Sequence, residues 1–448
     1  DSLGWSHTVN SPDLIDVYKL EINPENSNQY RFDDKWLNLD PFKISFKIRF
    51  LNFINLPYKN KAYWSVHGPV VENNNGEKFA IRYAGHEDIR ALEQWFKMNK
   101  AHNFEQWEDA MEMTALPMFN TGYADRDGNI FYTYNARLPK RTAGYDWIGV
   151  LPGNTSETLW ENYLLFSELP QLKNPESGFI QNCNSSPFKT TIGDDNPSQH
   201  LYPENLGIEK IMTNRALRAL ELFGSNKKIS SEEFEAIKYD LKYSEQSNFA
   251  KLIQRTTNIN TKDSLGILSL KFLREWNLET NKNNTHTAFA IYSLINYIEH
   301  DPNSVDLDKL HDHIILTAKE FINWFGRLDV PWGDVNRLIR GESDFPVAGG
   351  PDIIRAIYGS RYKDGRQLKG TAGDCYVIYA DWDKFGKISS KSIHQYGTSQ
   401  NKKSPHFSDQ SNLFVNQKMK PIYFSLEDII ANLDSSYVPR GKYNIISN

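Results

Sequence analysis

A strict alternation of apolar and polar residues at positions 42–50 constrains the fold more than any other feature of the chain. Alternate side chains of a strand point to opposite faces of a sheet, so this pattern predicts a half-buried β-strand with its apolar residues toward the core. Residues 17–22 and 78–83 alternate in the same way. The apolar positions of the first run are Phe42, Ile44, Phe46, Ile48 and Phe50.

The periodicity then changes along the chain. Residues 87–113 carry apolar side chains at helical spacing, and Asp127-Gly128 is typical of a hairpin turn between two strands within 118–135. From about 205 to 330 the pattern is mostly helical, with Ser304 as a predicted N-cap. Residues 330–370 are rich in glycine and proline and predict loops.

Strands are predicted again at 375–380 and 393–397, followed by a helix at 426–433. Strands, then a helical block, then strands favour an α+β fold with a helical insertion. We therefore expect three parts. They are a sheet-rich part (1–204), a mostly helical region (205–330) and a returning sheet with a C-terminal helix (331–448).

Composition excludes several classes of protein. The 448 residues carry a net charge of −5, which argues against a nucleic-acid binder, because such binders depend on a basic face. No apolar run approaches the roughly 18 residues of a membrane helix. Only Cys183 and Cys375 are present, so neither a disulfide framework nor a cysteine-rich zinc site is expected.

The segment 178–184 ends in Gln181-Asn182-Cys183-Asn184. If it is a strand, Asn182 and Asn184 share one face, and an Asn amide directed at a developing oxyanion is a known catalytic device. The alternative is a strand end at which Asn begins a turn, and the pattern alone favours this alternative.

Other polar residues are weaker candidates. Asp13 and Asp16 suit an oxygen-preferring cation such as Ca²⁺, or else an exposed acidic turn. Arg215 lies on a predicted helix, where an ion pair is the simpler interpretation. Trp95 and Phe119 are most simply core residues, and His7 is most simply a hydrogen-bonded strand residue.

Six segments, taken in order, resemble the β-chain of the penicillin acylase family, and the resemblance spans nearly the whole chain. Within that family, the segments are most similar to those of the branch that includes acyl-homoserine-lactone and aculeacin acylases. The segments are Gly4–Val9, Tyr63–Val70, Asn120–Ile130, Leu169–Asn184, Trp332–Asp334 and Ser404–Gln410.

This resemblance implies an N-terminal-nucleophile hydrolase with an αββα four-layer sandwich. In that family a precursor cleaves itself into an α-chain and a β-chain, and the new N-terminal Ser attacks an amide with its own α-amino group as base. The resemblance maps the oxyanion donors to the Val9 amide and the Asn184 side chain, and the supporting arginine to Arg215. It maps the acyl pocket to Trp95, Met118 and Phe119.

The resemblance also implies a structural calcium site, which only some members have. Its ligands map to Asp13, the Ile15 carbonyl, Asp16 and Asp195. No cofactor is expected for catalysis. A periplasmic or secreted location is expected from the family.

The nucleophile is the main departure from the family pattern. The chain begins at Asp1, and Ser2 lies in the wrong motif to serve. We therefore expect this chain to lack the first β-chain strands, and its partners to be those strands, an α-chain and an acylated small-molecule amide. The substrate would be an N-acyl lactone, a lipopeptide or a β-lactam side chain. The alternative is a truncated or catalytically silent member that acts as a binding or assembly protein.

Overall fold

The chain divides into two units, which are described separately below. The computed structural model describes residues 2–50, 53–86, 88–225, 228–298, 300–436 and 446–447. One unit is Leu3–Ile211, and the other contains Ser2 and the described residues from Met212 onward.

The Leu3–Ile211 unit consists mainly of strands. They are β1 (Leu3–Thr8), β2 (Ile15–Lys19), β3 (Ile22–Asn23), β4 (Asn26–Phe32), β5 (Lys35–Asn38), β6 (Asp40–Phe50), β7 (Ile54–Ser65), β8 (Gly68–Glu72), β9 (Lys78–Tyr83), β10 (Met118–Asp125), β11 (Ile130–Ala136), β12 (Val150–Pro152) and β13 (Gln171–Lys173). Its α-helices are α1 (Ala91–Lys100) and α2 (Phe104–Met111). Short 3₁₀ helices cover Ser156–Thr158, Phe166–Glu168, Pro187–Lys189, Gln199–Leu201 and Glu204–Leu206.

These strands form three sheets. The first is antiparallel, in the order β1-β10-β11-β13. The second has six strands in the order β12-β2-β9-β8-β7-β6, and the third is β3-β4-β5. The predicted turn at Asp127-Gly128 is confirmed, since it joins β10 to β11 and Gly128 has a φ of 90°, which glycine adopts without strain.

One continuous hydrophobic core supports this unit. Trp107 of α2 packs against Tyr123 of β10 and Phe131 of β11, at ring-centroid distances of 4.8 and 5.9 Å. The helices predicted within 87–113 are confirmed, and their buried faces cover the β10–β11 pair. This packing holds β10 in place, and β10 pairs with β1, at whose end the site described below lies.

The β6–β7 hairpin departs from its sequence prediction. The strand predicted at 42–50 is present, but its apolar side chains are not buried. Phe42 is 60% exposed and Phe46 is 50% exposed. The alternation therefore predicted the strand correctly and its burial wrongly, because period alone does not show whether another layer covers the apolar face.

The unit that contains Met212 and the residues after it begins with helices. Its α-helices are α3 (Asn214–Phe223), α4 (Ser231–Ile237), α5 (Asn248–Thr256), α6 (Ser264–Arg274), α7 (Thr287–Leu294), α8 (Leu307–Phe325), α9 (Trp332–Val335), α10 (Ser411–Val415) and α11 (Leu426–Ala431). Short 3₁₀ helices cover Ile295–Tyr297, Pro302–Ser304 and Pro405–Phe407. The N-cap of α8 is Asp306 and not the predicted Ser304, because the Asp306 carboxylate accepts from the first-turn amides.

Strands occupy much of the segment that was predicted to be loops. The strands of this unit are β14 (Asn336–Arg340), β15 (Ser343–Pro346), β16 (Ile357–Tyr362), β17 (Gln367–Gly373), β18 (Tyr376–Trp382), β19 (Ile388–His394), β20 (Lys420–Pro421), β21 (Ser435–Ser436) and β22 (Ile446–Ser447). They form sheets in the orders β15-β14-β17-β16, β18-β19-β20 and β21-β22. The loop prediction for 330–370 was thus wrong for much of this segment, because Gly359 and Gly370 lie inside β16 and β17 and Gly333 lies inside α9.

The helices of this unit enclose a core of their own. Phe289, Phe321 and Trp332 are fully buried there. Across the described part of the chain, no helix combines the length and the apolar content needed to cross a bilayer.

Candidate active site

The site is built where β1 ends. β1 pairs with β10 in antiparallel register, with Thr8 opposite Asn120 and His7 opposite Thr121. Val9 follows immediately and is 55% exposed, which places its backbone at the open end of the strand pair. A rigid sheet therefore positions the Val9 backbone while one side of it stays accessible.

Asn184 reaches this point from a turn and not from a strand. The segment 178–184 contains no regular strand, so the strand interpretation was wrong and the turn interpretation is confirmed. Asn184 has a φ of 58°, a left-handed conformation that asparagine tolerates better than most residues. The Asn182 side chain holds the turn, because its Oδ1 accepts from the Asn184 amide at 3.0 Å and from the Thr8 hydroxyl.

The Asn184 carboxamide meets the Val9 backbone. Its Nδ2 donates to the Val9 carbonyl at 2.9 Å, and Nδ2 of Asn120 approaches the same carbonyl at 3.4 Å. Asn120 is held in turn by Tyr132, whose hydroxyl donates to Asn120 Oδ1 at 2.6 Å. An Asn amide has two N–H donors, so Asn184 can contact Val9 and still direct a second N–H at another acceptor.

A cavity adjoins this network. Its volume is about 190 Å³, and Thr8, Asn120, Tyr132 and Asn182 contribute to its wall. Water and polar groups can therefore approach the backbone at the end of β1 without unfolding the sheet.

Aromatic side chains cover the opposite face of β1. His7 stacks on Phe119 with ring centroids 4.8 Å apart, and the Trp95 indole donates to His7 Nε2 at 3.0 Å. Because Nε2 accepts, the proton of neutral His7 lies on Nδ1, which donates to the Thr121 hydroxyl at 2.9 Å. All three residues predicted for the acyl pocket, Trp95, Met118 and Phe119, lie in or beside this cluster, with Met118 exposed and the two aromatic residues half-buried.

Burial sets the charge of His7. It lowers the pKa of the His7 imidazole to about 4, although a hydrogen bond to the Asn120 backbone partly opposes the shift. The ring is therefore neutral at physiological pH and acts here as a hydrogen-bonded wall rather than as a cation.

Comparison with known proteins shows which family this chain belongs to. The model of the penicillin amidase family matches residues 1–431. The chain belongs to the penicillin amidase family. An acyl-homoserine lactone acylase PvdQ from Pseudomonas fluorescens is 22% identical over 96% of this chain and 61% of its own length. Penicillin G acylase from Escherichia coli is 27% identical over 45% of this chain and 23% of its own length.

A solved structure shows the same fold. A thermostable penicillin G acylase from Alcaligenes faecalis superposes with a TM-score of 0.66 at 17% identity, over 98% of this chain and 88% of that one. The α+β fold of an N-terminal-nucleophile hydrolase is thereby confirmed for this penicillin amidase family member. The chain spans about three fifths of the length of the PvdQ acylases it matches.

Arg215 belongs to the other unit of the chain. It lies at the start of α3, and its Nε donates to the Asp352 carboxylate at 3.1 Å. The other oxygen of that carboxylate accepts from the Asn214 amide at 2.7 Å. Burial raises the pKa of Asp352, and the neighbouring Arg215 cation partly opposes the increase. Within its own unit, Arg215 is therefore an ion-pair partner that ties α3 to the segment around Asp352.

The predicted calcium ligands do not assemble as one set. Asp13 and Asp16 do meet, but around the fully buried guanidinium of Arg141, at 3.2 and 3.0 Å. Asp195 instead accepts from the Glu176 amide at 2.8 Å. Among the described residues no three His, Cys, Asp or Glu side chains are grouped to hold a metal ion. The residues present therefore do not fit a calcium ion held by the predicted set.

Arg141 connects several segments in place of such an ion. Besides the two carboxylates it donates to the Asp13 carbonyl at 3.0 Å and to the Asn205 carbonyl at 3.1 Å. Trp160 adds an indole N–H to the Asp16 carboxylate at 2.6 Å. Desolvation still raises the pKa of Asp16, with the Arg141 cation as the main opposing influence.

Sequence reasoning missed the residues that support Val9 and Asn184, the two predicted oxyanion donors. Asn120 and Tyr132 fix the Val9 carbonyl, and Asn182 fixes the turn at Asn184. The available signals were the Asn-Thr-Gly run at 120–122 and the first Asn of the Asn-x-Asn segment. Neither signal identifies a partner more than 100 residues away in sequence.

Proposed function

We propose that this chain is the larger part of a serine-type amidohydrolase that removes an acyl group from an amide. The observation that carries the proposal is the contact of the Asn184 carboxamide with the Val9 backbone, next to a cavity lined by Thr8 and Asn182. Membership of a family whose matched relatives are acylases supports the same reaction class.

In the proposed reaction a serine outside this chain attacks the amide carbonyl, with its own α-amino group as base. The carbonyl oxygen becomes an oxyanion, and the Val9 amide and the second N–H of Asn184 donate to it. The C–N bond then breaks, the amine leaves with a proton, and water hydrolyses the acyl-enzyme. The supporting role that the family resemblance implies for Arg215 remains part of the proposal.

The acyl group is proposed to lie against the aromatic cluster. Trp95 and Phe119 offer apolar surface, and exposed Met118 adds a flexible wall that adapts to chains of different shape. N-acyl lactones, lipopeptides and β-lactam side chains are the candidate substrates. The α-chain and the first β-chain strands are the proposed partners, and a periplasmic or secreted location remains part of the proposal.

Mass spectrometry of the complete protein separates this proposal from its rival, a silent binding or assembly protein. After brief mixing with an activated acyl ester, we expect the polypeptide that bears an N-terminal serine to gain the mass of one acyl group. The matched control is the same protein with that serine replaced by alanine. No acyl adduct on the complete protein, together with no amide hydrolysis, would favour the rival.

A further inference from the structure

The hairpin formed by β6 and β7 carries an apolar face with no protein layer over it. Residues directly opposite each other in an antiparallel pair share a face, so Phe46 and Tyr58 lie side by side, with ring centroids 4.8 Å apart. Ile48 opposite Leu56 and Phe50 opposite Ile54 continue the same face. All six of these side chains are exposed.

The end of this hairpin is apolar as well. Turns at the tips of hairpins are normally polar, because they are the part most surrounded by water. Here Phe50 and Ile54 flank the turn, and Phe53 is 75% exposed. A tip of this composition is stable where it can leave water for an apolar medium.

The other face of the hairpin is basic. Lys43 lies directly opposite Lys61, and like charges in that position repel each other unless an anion lies between them. Lys47, Arg49 and Lys59 lie on the same face, and no Asp or Glu occurs between residues 41 and 71. No ion pair involving these five side chains is found in the described part of the chain. In a protein of net charge −5 this segment is a local concentration of positive charge.

We propose that the β6–β7 hairpin binds the surface of an anionic lipid bilayer. The apolar face and tip, led by Phe50 and Phe53, enter the boundary between headgroups and acyl chains. The long lysine and arginine side chains extend along the hairpin to lipid phosphates. Electrostatic attraction and apolar insertion together give stronger binding than either alone, and the attraction weakens with salt. A protein partner would need a matching acidic and apolar surface, whereas an anionic bilayer offers both in one layer.

Sedimentation with vesicles tests the proposal. The complete protein is mixed with vesicles of phosphatidylglycerol and phosphatidylcholine, or of phosphatidylcholine alone. We expect binding to the anionic vesicles at least tenfold tighter than to the neutral ones. The double variant Phe50→Ser/Phe53→Ser should weaken binding at least tenfold, and 0.5 M salt should weaken binding of the unmodified chain.

The matched control is Ile148→Ser/Leu165→Ser, which removes two other exposed apolar side chains of the same unit. It should bind like the unmodified chain. Circular dichroism checks that both double variants are folded, and Arg49→Glu gives a second test that leaves every apolar residue in place. Equal binding to neutral vesicles, or unchanged binding by both hairpin variants, would overturn the proposal. Hydrogen exchange showing residues 42–61 covered by a companion polypeptide in the complete protein, without vesicle binding, would overturn it as well.

Discussion

Trp95 and His7 hold each other in a fixed arrangement, because the indole N–H of Trp95 donates to His7 Nε2 at 3.0 Å. The contact joins α1 to β1 beside the end of the strand at Val9. It requires neutral His7 to carry its proton on Nδ1, and it fixes an aromatic wall on the face of β1 opposite the cavity.

Titration of His7 is the first prediction. We expect a pKa of about 4 in the folded protein, against 6.5 in an unfolded chain, because burial disfavours the cation. Between pH 6.5 and 4 the unfolded chain therefore binds a proton that the folded chain does not. The contribution of His7 to stability is complete above pH 6.5 and declines as the pH falls toward 4.

Nuclear magnetic resonance of the imidazole protons measures this pKa directly. Burial also lowers the pKa of His67 to about 4, so His7 is assigned from the signal that disappears in His7→Gln. A His7 pKa near 6.5 would contradict the packing described for the aromatic cluster.

Arg141 is predicted to be essential for stability. Arg141→Ala removes a fully buried cation and leaves the buried Asp16 carboxylate without its charge partner. Breaking a buried ion pair from one side costs about 3–5 kcal/mol in free energy of unfolding. Urea denaturation measures the loss, with exposed Arg126→Ala as the matched control. A loss below about 1 kcal/mol for Arg141→Ala would show that the guanidinium does not hold these segments together.

Chelation tests the calcium question separately. Because the Arg141 guanidinium already lies between the carboxylates of Asp13 and Asp16, we expect the melting temperature to be the same after dialysis against a calcium chelator and after addition of millimolar Ca²⁺. Differential scanning calorimetry on both samples, with metal analysis of the protein, gives the answer. A fall of several degrees on chelation would restore the calcium site implied by the family resemblance.

Tyr132 is predicted to act through Asn120. Tyr132→Phe removes the hydroxyl that donates to Asn120 Oδ1 at 2.6 Å and leaves that buried oxygen without its donor. We expect a loss of about 1–3 kcal/mol in the free energy of unfolding. Tyr58→Phe, on the exposed hairpin, is the matched control and should change little. Equal stability of both variants would indicate that a water molecule replaces the lost hydroxyl.

Local signals predicted local structure well. The Asp127-Gly128 turn, α1, α2 and α8 follow from periodicity and turn chemistry, which depend on neighbours within a few residues. The strands in 336–373 were missed because β14 pairs with β17, some thirty residues further on, and such pairing leaves little trace in a glycine-rich sequence.

The same difference between local and long-range contacts separates the parts of the site that could be predicted from those that could not. The resemblance named Val9 and Asn184 as a pair, and the structure brings the two residues together. It could not give the left-handed turn at Asn184, the support from Asn182 or the indole bond to His7, since each depends on contacts between distant segments. Likewise, the alternation at 42–50 could not show that the apolar face of the hairpin is exposed.

The most direct measurement is kcat of the complete enzyme with Asn184→Ala, on any acyl amide that the unmodified enzyme hydrolyses. Loss of one oxyanion donor lowers kcat by about 10²–10³-fold, and KM should change much less. Asn26→Ala, an exposed asparagine on β4, is the matched control and should leave kcat unchanged. A kcat of Asn184→Ala equal to that of the unmodified enzyme would contradict the proposed role of the Asn184 carboxamide beside Val9.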